Sequence, residues 1–159
     1  MKISVITVCR DSASTIEDTI LAVHAQTHRD REHIVIDGGS TDGTVEIIRR
    51  HRDKIAGFVS ERDSGIYEAM NKGIGLATGQ LLGFLNSDDV YSHGEVLERV
   101  AAQFGSADLD AVYADLVYVD GADMDRVLRY YRSGRLPAAG LPARLDAGAP
   151  DVLCAARGL

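Results

Sequence analysis

Cysteine is scarce. Cys9 and Cys154 are the only two among 159 residues. Two cysteines build no disulfide framework, so a reducing cytoplasm fits the composition. Cys9 lies in a strand-like run and reads as a small buried hydrophobe. Basic charge is also short. Lys plus Arg number 17 against 24 Asp plus Glu, a net charge of −7. An acidic chain argues against nucleic acid or an anionic membrane surface as the main partner and leaves at most peripheral membrane contact. Any phosphate must then be held locally, by a metal, a helix start or a few basic side chains. Long apolar runs are missing. The opening MKISVITVCRDS reads as neither signal peptide nor membrane span. The chain contains no G-x-G-x-x-G after its first apolar run and no G-x-x-x-x-G-K-[ST], so the usual phosphate cradles of dinucleotide folds and P-loops are absent. His24, His28, His33, His51 and His93 show no metal-ligand spacing.

What remains is a foldable α/β pattern. The apolar share is 45%, enough for one domain with a core. ISVITVC, residues 3–9, is β-branched and nearly continuous, as expected of a strand buried on both faces. Ser14 and Glu17 have capping-box spacing ahead of Ile16, Ile20 and Val23 on one helical face. Residues 33–37 form a second strand, followed by the turn-rich GGSTDGT and a helix over VEIIRRHRD. IAGFVSE is a weaker third strand. Ile66, Met70 and Ile74 recur at helical spacing, QLLGFLN is a fourth strand, and Val96, Leu97, Val100, Ala101 and Phe104 mark another helix. LDAVYADLVYVD and RVLRYYRS read as two late, hairpin-like strands. This alternation predicts a three-layer α/β sandwich with a mainly parallel sheet.

In such sheets ligands bind beyond the carboxyl ends of the strands. Each predicted strand end carries an acid: Asp11 beside Arg10, Asp37, the 61–63 segment, and Asp88 with Asp89. The last pair is the most informative. Adjacent carboxylates closing an apolar strand repel each other unless a cation lies beside them. Hard Mg²⁺ or Mn²⁺ takes carboxylate oxygens and keeps positions open for phosphates. The bland alternative is a solvated Asn-Ser-Asp-Asp turn. Asp37 could accept hydrogen bonds from a nucleoside or simply cap a helix entry. Lys72 and Arg62 could meet phosphates or be solvated charges. Tyr67 could stack at the rim or be an ordinary half-buried tyrosine.

Taken in order, ISVITV, IVIDGGSTDGT, SERDSGIYEAMNKGIGLATG and LLGFLNSDDVY resemble the family 2 glycosyltransferases of the GT-A fold, bacterial exopolysaccharide and surface-glycan enzymes in particular. The resemblance covers residues 1–133 and divides the chain into a GT-A nucleotide-sugar-binding domain, 1–133, and an irregular tail, 134–159. It implies metal-dependent transfer of a sugar, with inversion, from a nucleotide-sugar donor to a glycan or lipid-linked acceptor, in the cytoplasm or at the inner face of the membrane. Position by position it implies that Thr7 and Val8 line the base pocket with Asp63 and Gly65 near them. Asp37 contacts the nucleoside, Asp88 lies near the ribose or sugar, and Asp89 is the ligand of Mn²⁺ or Mg²⁺. Arg10 stands where relatives often carry Asn and could face a phosphate. No general base can be assigned; Asp115 and Asp120 are the late acids and read as strand-end or loop residues. Two other functions stay open: a truncated, non-catalytic remnant that only binds nucleotide sugar, and a nucleotidyltransferase-like enzyme.

All three prolines, Pro137, Pro142 and Pro150, fall in the tail, which has no aromatic residue and no Ile, Lys, Glu, Ser or Thr. An out-of-frame origin is one expectation. Residues 145–157, recoded and read one nucleotide later, can spell W-M-P-A-H-P-T-F-F-V-R-R, similar to the M-P-x-H-P-T-F-F-x-R segment of this glycosyltransferase subgroup. A donor half would then survive without its acceptor half.

Overall fold

A computed structural model describes residues 1–106, 109–121 and 123–132 and the backbone of 153–156. Four parallel strands organise it: β1 (Ile3–Cys9), β2 (Arg31–Asp37), β3 (Gly57–Ser60) and β4 (Leu81–Phe84). The helices between them are α1 (Ile16–His24), α2 (Thr44–Arg50) and α3 (Ile66–Leu76), and α4 (Val96–Ser106) follows β4. The sheet order is β3-β2-β1-β4, continued by β8 (Leu153–Ala156) and β5 (Ala111–Tyr113). β8 runs antiparallel to both of its neighbours.

β1 is the centre of this arrangement, and all seven of its residues are buried. Its alternate side chains serve two cores. Ile3, Val5 and Cys9 face the layer of α1, α2 and α4, where they meet Val23, Ile16, Ile20, Ile48 and Leu97. Ile6 and Val8 face α3 and pack with Ala69, Ile34 and Ile36. A strand covered on both faces has no polar side to alternate, which is why its sequence reads as an unbroken apolar run.

The chain moves outward from β1 to β2 to β3, then crosses back to place β4 on the other edge of β1. The loops leaving β1 and β4 therefore part to opposite faces, and a crevice opens at the strand ends between them.

Three expectations need correcting. The capping box does not form: α1 begins at Ile16 behind Thr15 with no side-chain cap, and Glu17 Oε1 instead meets His51 Nε2 at 2.7 Å. The long late strand is two strands. β5 joins the main sheet, while β6 (Leu116–Asp120) pairs with β7 (Asp123–Tyr131) in a separate hairpin. Within the stretch expected to be irregular, residues 153–156 form β8; the rest of residues 134–159 lies outside the described residues.

Candidate functional site

A cleft of about 650 Å³ occupies the predicted crevice. Val8, Cys9, Arg10, Asp11 and Ser12 enter it from the end of β1, and Asn86, Ser87 and Asp88 from the end of β4. Asp63, Gly65, Ile66 and Ala69 close it from the loop before α3 and from α3 itself. Five of the expected donor-side residues, Val8, Arg10, Asp63, Gly65 and Asp88, thus meet in one place.

Thr7 and Asp37 lie elsewhere. Thr7 is fully buried, and its hydroxyl lies 2.9 Å from His33 Nε2 on the α1–α2 side of the sheet. Asp37 is also fully buried, and the turn it opens consumes its carboxylate. Oδ2 accepts from the backbone N–H of Gly39 at 3.2 Å and of Ser40 at 3.1 Å, and from Ser60 Oγ at 2.7 Å. Oδ1 accepts from the Ser40 hydroxyl. Four internal donors thus satisfy the acceptor capacity of this buried carboxylate. In this arrangement Asp37 fastens the ends of β2 and β3 to the turn.

Asp63 lines the cleft from the loop before α3. One carboxylate oxygen, Oδ1, accepts from Gly65 N at 3.1 Å. The other, Oδ2, hangs over Gly38: a Cβ built on Gly38 would lie 2.8 Å from it. Gly39 has a φ of 82° and lies under Arg62, whose Cγ would be 3.1 Å from an added Cβ. The two glycines of DGGSTDGT therefore make a seat for the Arg62-Asp63 segment. Gly38 supplies space, and Gly39 supplies space and a left-handed turn.

The rim is cross-tied by short polar side chains. Asp11 adopts a φ of 49°, a conformation Asp tolerates better than most residues. From there its N–H donates to Ser40 Oγ at 2.8 Å and its Oδ1 accepts from Thr41 N at 2.9 Å. Asp42 accepts from Thr44 N, the first residue of α2, at 3.0 Å and from Ala13 N at 2.9 Å. Hydrogen bonding from Thr44 and Ala13 holds the Asp42 carboxyl below the usual aspartate range. Burial, and after it the Asp37 charge, pushes the Cys9 thiol up, so it is no thiolate nucleophile.

Asp88 is exposed at the cleft, and Asp89 follows it half-buried. The Asp89 N–H donates to Asn86 O at 3.1 Å, closing a tight turn. Among the described residues no three His, Cys, Asp or Glu gather to hold a metal. Of the pair, Asp88 lines the cleft and Asp89 is not part of its lining; a carboxylate at the cleft fits a hard cation whose other ligands come from a bound diphosphate. Lys72, considered for phosphate contact, is held by Glu61 at 2.9 Å and Glu68 at 3.1 Å; the Glu61 bond, then the Glu68 bond, raises its pKa. Tyr67 is 62% exposed, not half-buried. Asp115 and Asp120 belong to the hairpin region. Asp115 accepts from Tyr130 Oη at 2.9 Å, and Asp120 pairs with Arg126 at 3.3 Å. Sequence reasoning missed the hydroxyls of Ser12 and Ser87, which meet at 2.9 Å across the cleft floor. Nothing in an isolated serine marks such a contact.

The family model of glycosyl transferase family 2 matches residues 4–155. An uncharacterized glycosyltransferase of Mycobacterium tuberculosis is 38% identical over 128 residues, which span 79% of this chain and 46% of that protein. The PGL/p-HBAD biosynthesis glycosyltransferase of Mycobacterium bovis is 34% identical over 127 residues, 73% of this chain and 50% of that one. TarS 1-349 of S. aureus, solved in complex with UDP, superposes with a TM-score of 0.66 at 28% identity, covering 72% of this chain and 35% of that chain. The protein belongs to glycosyl transferase family 2 and has the GT-A fold. It spans about half the length of the curated relatives it matches.

Proposed function

We propose that this family 2 chain binds a uridine diphosphate sugar in the β1–β4 cleft and presents it, with a divalent metal, for inverting transfer to a hydroxyl of a surface glycan or glycolipid. The observation that carries the reading is the convergence of Asp63, Arg10 and Asp88 on one cleft at the switch point of the sheet. The likeness to a UDP-bound structure supports the choice of nucleotide.

The roles follow from chemistry. Asp63 Oδ2 is an acceptor over the Gly38 seat and reads the imide N–H of uracil. Ile66 and Ala69 give the base an apolar wall. Asp88 accepts from ribose or sugar hydroxyls, and Asp89 ligates the metal. When bound, Mn²⁺ or Mg²⁺ neutralises the charge that develops on the diphosphate leaving group. Arg10, exposed at the cleft mouth, adds a cation to that side. An inverting transfer also needs a base for the acceptor proton, and the two late acids, Asp115 and Asp120, are engaged by Tyr130 and Arg126 in the hairpin. That observation favours a second reading, in which this chain by itself holds the donor without transferring it.

The two readings separate in one series. A thermal-shift panel of nucleoside diphosphates with and without Mn²⁺ tests donor binding, and release of sugar from UDP-sugars tests turnover. Stabilisation by UDP that grows with Mn²⁺ supports donor binding. No stabilisation by any nucleoside diphosphate refutes both readings. Binding without sugar release or transfer selects the second.

A further inference from the structure

We propose that Thr19 is a positioning residue for the acidic turn: through its hydroxyl, α1 fixes the backbone of Asp89 and so aims the carboxylate that meets the metal. The inference rests on the donor-site reading above.

Thr19 is out of place by packing alone. Its companions on the buried face of α1 are Ile16, Ile20 and Val23, all with 1% exposure or less, and Thr19 is itself fully buried. A valine would fill the same volume without a hydroxyl to satisfy. A helical threonine usually turns its hydroxyl back to a carbonyl of its own helix. Thr19 Oγ1 instead donates to the backbone oxygen of Asp89, 70 residues away, at 2.9 Å.

A second tether acts on the same turn. Ser87, nearly buried, meets Ser12 Oγ at 2.9 Å, and Ser12 N–H donates to Thr44 Oγ1 at 2.8 Å. The turn of residues 86–89 is thus fastened to α1 and to the loop after β1, not only to its own strand. Two adjacent carboxylates repel and would splay in a free turn. Fixing the Asp89 peptide before any cation arrives removes that reorganisation from the binding step, as outer hydrogen bonds do at metal sites generally.

Calorimetric titration of UDP into wild type, Thr19→Val and Thr19→Ser, each with and without MnCl₂, tests this, with Mn²⁺ spin-resonance titration as a second readout. The expected result is that Thr19→Val weakens the Mn²⁺-dependent part of UDP binding by about tenfold or more. It should leave metal-free UDP binding unchanged, and Thr19→Ser should restore the metal-dependent part. Equal loss with and without Mn²⁺ would mean a merely structural role and overturn the proposal. So would wild-type Mn²⁺ dependence in Thr19→Val, or failure of Thr19→Ser to rescue. If wild type itself shows no Mn²⁺-dependent UDP binding, the donor-site reading falls and takes this inference with it; a failure confined to the Thr19 variants leaves that reading standing.

Discussion

Two aspartates that the sequence reading placed on the donor side, Asp37 and Asp63, have different surroundings in the fold. Asp37 closes a strand and opens a glycine turn, which made it the natural candidate for a ligand contact. In the fold its carboxylate binds the turn amides, Ser40 and Ser60. Asp63 lines the cleft, with one carboxylate oxygen over Gly38. Sequence could not separate them, because which donors surround a carboxylate depends on the loop from β3 folding over Gly38. The two roles make opposite predictions. Asp37→Ala leaves several buried donors unsatisfied and should cost roughly 3 kcal/mol of folding stability, read by urea denaturation. Asp63→Ala should leave stability within about 0.5 kcal/mol of wild type. By calorimetry it should weaken UDP binding by about 1–3 kcal/mol, the cost of leaving a ligand donor unpaired. Interchanged effects would reverse the assignment.

Helices and strands were legible where one periodicity dominated. β1, β2 and β4 declared themselves as apolar runs because both faces are covered, and α3 by its Ile66, Met70 and Ile74 spacing, although Ile66 turns out to line the cleft. The capping box failed because Ser14 stands two residues ahead of the helix start and Glu17 has a distant partner in His51. β5 and β6 were merged because the two residues between them, Ala114 and Asp115, include no Gly or Pro to mark the break. β8 was invisible: LCAA carries no alternation, and its neighbours β4 and β5 decide its pairing. At Gly73 α3 packs closely on β1, and an added Cβ would run into Ile6 Cγ2. Gly73→Ala should therefore destabilise the protein by about 1–3 kcal/mol despite its better helix propensity. A gain in stability on thermal or chemical denaturation would show that the α3–β1 spacing is looser than described.

Acid should weaken the whole molecule in two stages. Burial, helped by the Arg31 charge, pulls the His33 pKa down to about 3, so native His33 stays neutral while the unfolded chain protonates near its ordinary 6.5. Stability is then complete above about pH 6.5 and falls as pH drops from there toward 3. At Glu32 burial opposes ionisation, but bonds from Lys2, Ser4 and Thr78 outweigh it and hold the carboxyl at about 2. Its contribution is present above the unfolded value near 4.5 and is lost as pH falls toward 2. Glu32→Gln should thus cost roughly 2 kcal/mol at pH 7 and progressively less between pH 4.5 and 2. His33→Gln should flatten the slope between pH 6.5 and 4.5, where Glu32 is still ionised in both states. Urea denaturation across pH checks both.

At the same scale, the proposed donor site requires that its metal be held at the acidic pair. The most direct test is calorimetry of UDP, with and without MnCl₂, on wild type and Asp89→Asn. The expected result is that Mn²⁺ strengthens UDP binding to wild type, that Asp89→Asn abolishes the Mn²⁺ dependence, and that its denaturation midpoint stays close to wild type because a rim carboxylate contributes little to the core. Undiminished Mn²⁺-dependent UDP binding by Asp89→Asn would contradict it.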